Sequence, residues 1–523
     1  MSTTNTLVPG DATESGDTTG EFDSAMLSRP RARRGVRARA FAAPAVVAAV
    51  SAGVFALVGT SLIDDTYITL AYARNLAFDL HWGLIEGLTS NTATSPLNVI
   101  LLAAGTAVLR DPVLALAALF VLCNVVTFVA LRRACRDAGL PAWTAPLAVG
   151  LLLVNPLLLS SIGLEVALGA AGIALLLRCA QAARPGWFGA VAGLLALTRL
   201  DLLIVVAVLL VARRRWWAGL WRAALAAVAV VLPWFAFSWL ALGSAVPDTL
   251  IIKTSQSWGE YTFVDGWLLY LDTYRAAAVL SFVPVVLGLG IAAGWLVLRV
   301  VRPSETVRRL DAFAPLVIAA GLHFAAYAWL SVPPYHWYYG PSIVLMTIYV
   351  AAAAGCAATA RAWPPLRAVL PAGALALLLA SAAGYGWQGL PREHAPFTTN
   401  QASFSQYREI GADLAGLVGE RIVRTAGEIG VLAYYCECSL VDAFSDRGEV
   451  EPMIAEAERE SGPFGRWLLR LNFRYLDRTV PPLVPDLTLA RTSGPAPAEA
   501  IASWPIDSPW AGAETLYLAP AAR

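Results

Sequence analysis

Apolar runs set the pattern of this chain. The first lies at about 41–63, and others follow near 112–131, 143–159, 166–180, 187–198, 200–212, 223–242, 276–298, 312–330, 341–360 and 368–386. A helix needs roughly 20 apolar residues to cross the hydrocarbon core of a bilayer, and most runs approach that length, with some short or tilted. The pattern predicts an all-α polytopic membrane protein with about eleven transmembrane helices. The run 96–109 has only about 14 residues, too few for a straight span. After about residue 390 the chain turns polar and the period changes. Arg421–Thr425 reads as a strand, Glu428–Tyr434 as a short helix and Ser439–Asp442 as a second strand. The segment 391–523 is therefore expected to form a small C-terminal α/β extracytoplasmic domain, irregular at its Pro-rich stretches 481–485 and 495–497.

Charge orients these runs. Residues 1–28 are polar, and Arg29, Arg31, Arg33, Arg34, Arg37 and Arg39 follow directly before the first run. Segment 1–40 thus reads as a disordered basic cytoplasmic tail, and no signal peptide is recognised. If 96–109 is interfacial or re-entrant, the later clusters all face the cytoplasm: Arg132/Arg133/Arg136, Arg178/Arg184, Arg213–Arg215 with Arg222, Arg299/Arg302/Arg308/Arg309 and Arg361/Arg367. If it spans, the next clusters flip outward against the positive-inside rule. The transmembrane domain is then 41–390 with a long outer loop at 64–111, and the chain is a multi-pass plasma-membrane protein with its C-terminal domain outside.

Composition narrows the class. The chain is 58% hydrophobic and 14% charged, with mean hydropathy +0.61, which excludes a soluble cytosolic or secreted enzyme. With 38 Lys+Arg against 37 Asp+Glu there is no basic field to recruit nucleic acid. Cys123, Cys179 and Cys356 lie in apolar runs and Cys135 in a basic loop, while Cys436 and Cys438 form a C-x-C pair, poor geometry for a bridge with itself. No disulfide framework or zinc signature is expected. His81, His323, His336 and His394 show no metal-ligand spacing, so no metal is required, although a divalent cation is compatible with the sequence.

Candidate chemistry gathers at the outer face. Asp64 and Asp65 follow the first span, where paired carboxylates either end a helix in water or, partly buried, supply a general base. Their context is Ile63-Asp64-Asp65-Thr66-Tyr67-Ile68-Thr69-Leu70-Ala71-Tyr72-Ala73-Arg74-Asn75-Leu76, continuing to Glu86-Gly87-Leu88-Thr89-Ser90 and Thr94-Ser95-Pro96-Leu97. This segment resembles the first outer loop of GT-C-type integral membrane glycosyltransferases. Ser161-Ile162-Gly163-Leu164-Glu165 is similar to that family's S-G-L-E stretch, with Ile162 inserted. Leu197-Thr198-Arg199-Leu200-Asp201 is similar to its L-x-R-P-E/D element without the proline. Gly243 to Thr249 with Lys253 resembles a G-x-x-x-P-x-T-x-x-x-K element, and Gly427-Glu428-Ile429-Gly430 with Tyr434-Tyr435 and Val441-Asp442 an outer-domain G-x-I-G…Y…D stretch. Together these cover roughly 41–445. Within the superfamily, the likeness is to actinobacterial polyprenyl-phosphate-dependent arabinofuranosyltransferases.

The resemblance implies a catalytic base at Asp64 or Asp65 and substrate contacts from Arg74, Glu165 and Asp201. Each residue also has its own reading. Glu165 opens a span, where an acid suits the helix dipole. Arg199 and Asp201 sit at a hairpin tip between two short apolar stretches, suited either to a mutual salt bridge or to a lipid phosphate. Lys253 is the only lysine in the chain, a compact point charge that suits a phosphate oxygen. His336 and Trp337, in Tyr335-His336-Trp337-Tyr338-Tyr339, read as an interfacial aromatic belt, with Trp337 or Trp258 available to stack on a sugar.

The expectation is an inverting glycosyltransferase. It moves a sugar, arabinofuranose or next mannose, from a polyprenyl-phosphate donor to a cell-envelope glycan acceptor at the outer membrane face, with Lys253 and Arg199 holding the donor phosphate. The alternative is a lipid or amphiphile transporter or flippase, but no internal repeat supports it and the polar residues cluster at one face.

Overall fold

A computed structural model describes residues 30–521 apart from 257, 361–363, 388–391 and 426; side chains of 30–40, 214–216 and 387 are not described. The expected N-terminal tail, the arginines preceding the first run and Arg214, Arg215 and Arg361 fall outside the described positions or side chains.

Each apolar run carries a helix, and the described residues are about 67% helical. In order these are α1 (Pro30–Val58), α2 (Asp64–Asp79), α3 (Pro96–Leu109), α4 (Pro112–Asp137), α5 (Thr144–Val154), α6 (Pro156–Ser160), α7 (Val166–Gln181), α8 (Pro185–Thr198), α9 (Leu203–Ala212) and α10 (Leu220–Ala241). Then come α11 (Thr249–Thr254), α12 (Gly266–Thr273), α13 (Arg275–Val301), α14 (Glu305–Leu310), α15 (Ala314–Leu330), α16 (Gly340–Ala358) and α17 (Pro364–Trp387). Among the described residues, six helical segments are long and apolar enough to cross a membrane: Phe41–Val58, Pro112–Asp137, Trp217–Ala241, Arg275–Val301, His336–Ala358 and Pro364–Gly386. The remaining runs form shorter apolar helices. At 1.5 Å per residue, the 14-residue α3 reaches only about 21 Å, short of the bilayer core.

Helix α16 is the hub. It is apolar all round, and every residue from Gly340 to Ala357 is buried, packed against α5, α13, α15 and α17. The outer flanks of α10 and α13 instead expose Leu225, Leu232, Leu240, Val286 and Val297, the surface expected of helices that face lipid.

The polar C-terminal part begins with α18 (Phe404–Val418), whose N-terminus is closed by a capping box between Ser403 and Gln406. β1 (Val423–Arg424), α19 (Gly430–Cys436) and β2 (Leu440–Val441) form the expected strand–helix–strand unit, with β1 and β2 parallel. Helices α20 (Arg447–Glu460) and α21 (Pro463–Asn472) follow, then β3 (Leu487–Thr492), β4 (Ala502–Ser508) and β5 (Gly512–Pro520). The sheet order is β2-β1-β3-β5-β4, mixed in direction, and 481–485 is irregular as expected. Val47–Arg523 pack as a single unit, so this α/β part shares its packing with the helices that precede it.

One expectation is corrected. Cys436 and Cys438 are bridged, with Cα atoms 5.1 Å apart, inside the span a disulfide needs. The intervening Glu437 caps α19 in the left-handed region at φ 52°, which turns the two side chains toward each other. Spacing alone does not reveal that turn.

Candidate active site

The paired carboxylates open α2 and diverge. Asp64 is buried: its Oδ1 accepts from Val431 N at 2.7 Å and its Oδ2 from Gly430 N at 3.0 Å. Asp64 thus binds the N-terminus of α19, where backbone N–H groups and the helix dipole favour an anion, and joins the start of α2 to the C-terminal part. Only glycine fits at 430, because a Cβ there would lie 2.1 Å from the Asp64 carbonyl oxygen. Asp64 N in turn donates to Asn400 Oδ1 at 3.2 Å.

Asp65 points the other way. Its Oδ1 accepts from Lys253 Nζ at 2.9 Å. The ammonium also sits 4.4 Å from the Tyr335 ring centroid and 4.7 Å from that of Trp337, a cation over aromatic faces. Burial, the largest influence, would lower the Lys253 pKa, but the Asp65 carboxylate together with Tyr335 and Glu165 holds it above the ordinary lysine value. The position of α11 is fixed from behind: Asp248 accepts from Ser244 at 2.7 Å and from Arg447 at 3.1 Å, while Asn91 holds Ser244 and Thr249 donates to Thr92 O.

Asp64, Asp65 and Lys253 line one cavity of about 550 Å³. Trp258, Tyr335 and Trp510 form its aromatic wall, with Trp258 at 4.8 Å from Tyr335 and 5.8 Å from Trp510 between ring centroids. Glu428 and Arg491 enter from the C-terminal part. A smaller cavity of about 30 Å³ shares Asp65 and Lys253 and adds Glu165 and Trp337.

Other expected site residues lie elsewhere. Arg199 sits beyond Glu165 in a buried network: it donates to Glu165, to Asp201 at 3.0 Å and to Tyr327 at 2.5 Å. Asp201 also accepts from Tyr327 at 2.8 Å and pairs with His323 at 2.9 Å. The guanidinium therefore serves this network and does not line the cavity. Gly163, at φ +99°, lets Thr66 of α2 press close and donate to Ile162 O, which seats the 161–165 segment beside the DD pair. Arg74 donates to Tyr434 O at 3.0 Å and pairs with Glu437, fastening α2 to α19. His336 is buried against Tyr270, Trp337 and Phe397. Of the expected contacts, then, Asp64, Asp65, Lys253 and Trp258 meet in the main cavity, and Glu165 and Trp337 in the smaller one. Among the described residues, no group of three or more His, Cys, Asp or Glu is placed to hold a metal ion.

Burial, offset in part by backbone hydrogen bonds, raises the Asp64 pKa to about 6, and burial also raises Asp442 to about 7. Glu428 is pushed up for the same reason, with the nearby Asp64 carboxylate adding to it. Groups with raised carboxyl pKa values hold protons more tightly folded than unfolded. Their contribution is present below about pH 4 and is lost as pH rises through 6 to 7. The melting temperature is expected to be higher at pH 5 than at pH 8, by an amount worth on the order of 2 kcal/mol after discounting for solvent screening. Asp442→Asn flattens that slope. A melting temperature that rises from pH 5 to 8 contradicts this.

No protein-family model matches the sequence, and no curated protein is significantly similar to it.

Proposed function

We propose that the chain is an inverting glycosyltransferase of the outer membrane face. It uses a polyprenyl monophosphate sugar as donor and a cell-envelope glycan as acceptor. The observation that carries this is the Asp65–Lys253 pair beside an aromatic wall in a cavity large enough for a sugar. A carboxylate and an ammonium at hydrogen-bond distance supply the two groups such a transfer needs: a base for the acceptor and a cation for the departing phosphate. In this topology about eleven spans leave the N-terminus inside and the C-terminal part outside, where nucleotide sugars are absent and a lipid donor is required.

In the proposed step the acceptor hydroxyl attacks the anomeric carbon and loses its proton to Asp65. The bond from that carbon to the phosphate oxygen breaks, and the electron pair leaves with the polyprenyl phosphate. Lys253 turns from Asp65 toward the growing negative charge, while Trp258 and Trp510 offer faces for sugar stacking. Asp64 positions Asp65 by clamping the start of α2 to α19. Arabinofuranose is the preferred sugar on the sequence resemblance, with mannose next.

Binding tests this reading ahead of turnover. Protein in nanodiscs is expected to bind polyprenyl monophosphate saturably and the uncharged prenol weakly. Lys253→Gln weakens the phosphate ligand by about 10- to 100-fold, the range of one to two charge-assisted hydrogen bonds. Equal binding of both lipids, or a Lys253→Gln variant with unchanged affinity, contradicts it.

A further inference from the structure

Helix α21 has its apolar face in an unusual place. Phe464, Trp467, Leu468 and Leu471 follow the i, i+3, i+4, i+7 spacing of one helix face, and Tyr475 continues the stripe past the helix end. Phe464 is 71% exposed and Trp467 57%. Arg466 is half-buried against the end of α20, whereas Arg470 stays exposed beside it. Arg466 donates to the carbonyls of Glu458, Arg459 and Ser461 at the end of α20, and Arg470 and Arg478 pair with Glu458. A second stripe, Leu469, Phe473 and Leu476, packs on Ile251, Ile252, Val450 and Ile454. The exposed aromatics are thus the side left over once both the polar and the core contacts are satisfied.

What covers that side is indicated by its neighbour. The indole of Trp239 near the end of α10 donates to Leu471 O at 2.9 Å, and its ring meets Tyr475 at 5.1 Å. Helix α10 belongs to the candidate span Trp217–Ala241, whose flank exposes Phe237 and Leu240. The apolar stripe of α21 therefore continues the lipid-facing surface of a spanning helix at the depth where Trp and Tyr are favoured.

We infer that α21 is an interfacial anchor: its Phe464–Trp467–Leu468 face lies in the outer leaflet of the bilayer that α10 crosses. The anchor fixes the height of the C-terminal part above the membrane. Because Phe473 packs on Ile251 and Ile252, it also fixes the height of α11, and so of Lys253. Burying a face with Trp, Phe and Leu at the head-group boundary is the way amphipathic helices hold to membranes. The choice of the outer leaflet rests on the topology proposed above, and the lipid contact itself on α10 and α21 alone.

The test places a photoreactive benzoylphenylalanine at one position of the full chain in phospholipid nanodiscs. Trp467→benzoylphenylalanine keeps an exposed aromatic, so the fold is retained; Glu420→benzoylphenylalanine, exposed at the end of α18, is the control. After irradiation, mass spectrometry is expected to find phospholipid adducts at 467 at least about tenfold above those at 420. Adducts to a second polypeptide at 467, or no excess of lipid over position 420, overturn the inference.

Discussion

Asp65→Asn is expected to lower sugar transfer by roughly 10³-fold while donor binding stays within a few-fold, because a general base contributes about 10²–10⁴. The substitution keeps the shape of the side chain and its place beside Lys253. What it removes is the proton acceptor that faces the cavity. Asp64→Asn separates the two members of the pair. Its carboxylate is already committed to Gly430 and Val431, so the amide still accepts one of those bonds through its oxygen and offers an N–H against the other. That variant is expected to lose thermal stability and to retain most of its transfer per folded molecule. Single-turnover transfer and melting temperature, measured side by side, check both. A tenfold greater loss of transfer in Asp64→Asn than in Asp65→Asn reverses the assignment.

The second large effect concerns Arg199, which admits two roles. Its side chain is 10% exposed and its partners Glu165 and Asp201 are 4% and 16% exposed. Removing one member of a buried ion network leaves the others unpaired, at a cost of about 3–5 kcal/mol. Arg199→Met is therefore expected to unfold at markedly lower temperature or denaturant, with an unchanged donor dissociation constant in whatever fraction remains folded. Had the guanidinium served chiefly to bind the lipid phosphate, the melting temperature would hold and donor affinity would fall. Denaturant unfolding combined with donor titration separates these outcomes.

Local pattern carried most of the architecture. Apolar periodicity marks the helices, and a strand–helix–strand rhythm marks β1, α19 and β2, because both depend on near neighbours in sequence. The site was legible in part. Asp64, Asp65, Lys253 and Trp258 stand out by residue type and context, yet nothing local says which carboxylate is tied up by backbone N–H groups. That is decided by Gly430 and Val431, more than 360 positions away. Arg199 likewise finds Glu165 at a separation of 34 and Tyr327 at 128, so its closed network is a tertiary fact. Trp510 and Arg491 carry no local signal of a site: Trp510 sits in the turn between β4 and β5, and Arg491 on β3. The alternation at Trp504, Ile506, Leu516 and Leu518 around Gly512 was the available signal for that hairpin. Glu428 and Asp442 lie within the G-x-I-G…Y…D stretch, but their raised pKa values follow from burial that only the assembled molecule supplies.

The chemistry itself is tested by transfer. Purified protein in nanodiscs would be given radiolabelled polyprenyl-phosphate arabinofuranose and, in parallel, polyprenyl-phosphate mannose, with short cell-envelope oligosaccharides as acceptors and the Asp65→Asn variant as control. The account predicts transfer from one of the two donors to an oligosaccharide, lost in the variant. Donor bound but never transferred across the acceptor panel, or transfer undiminished in Asp65→Asn, contradicts it.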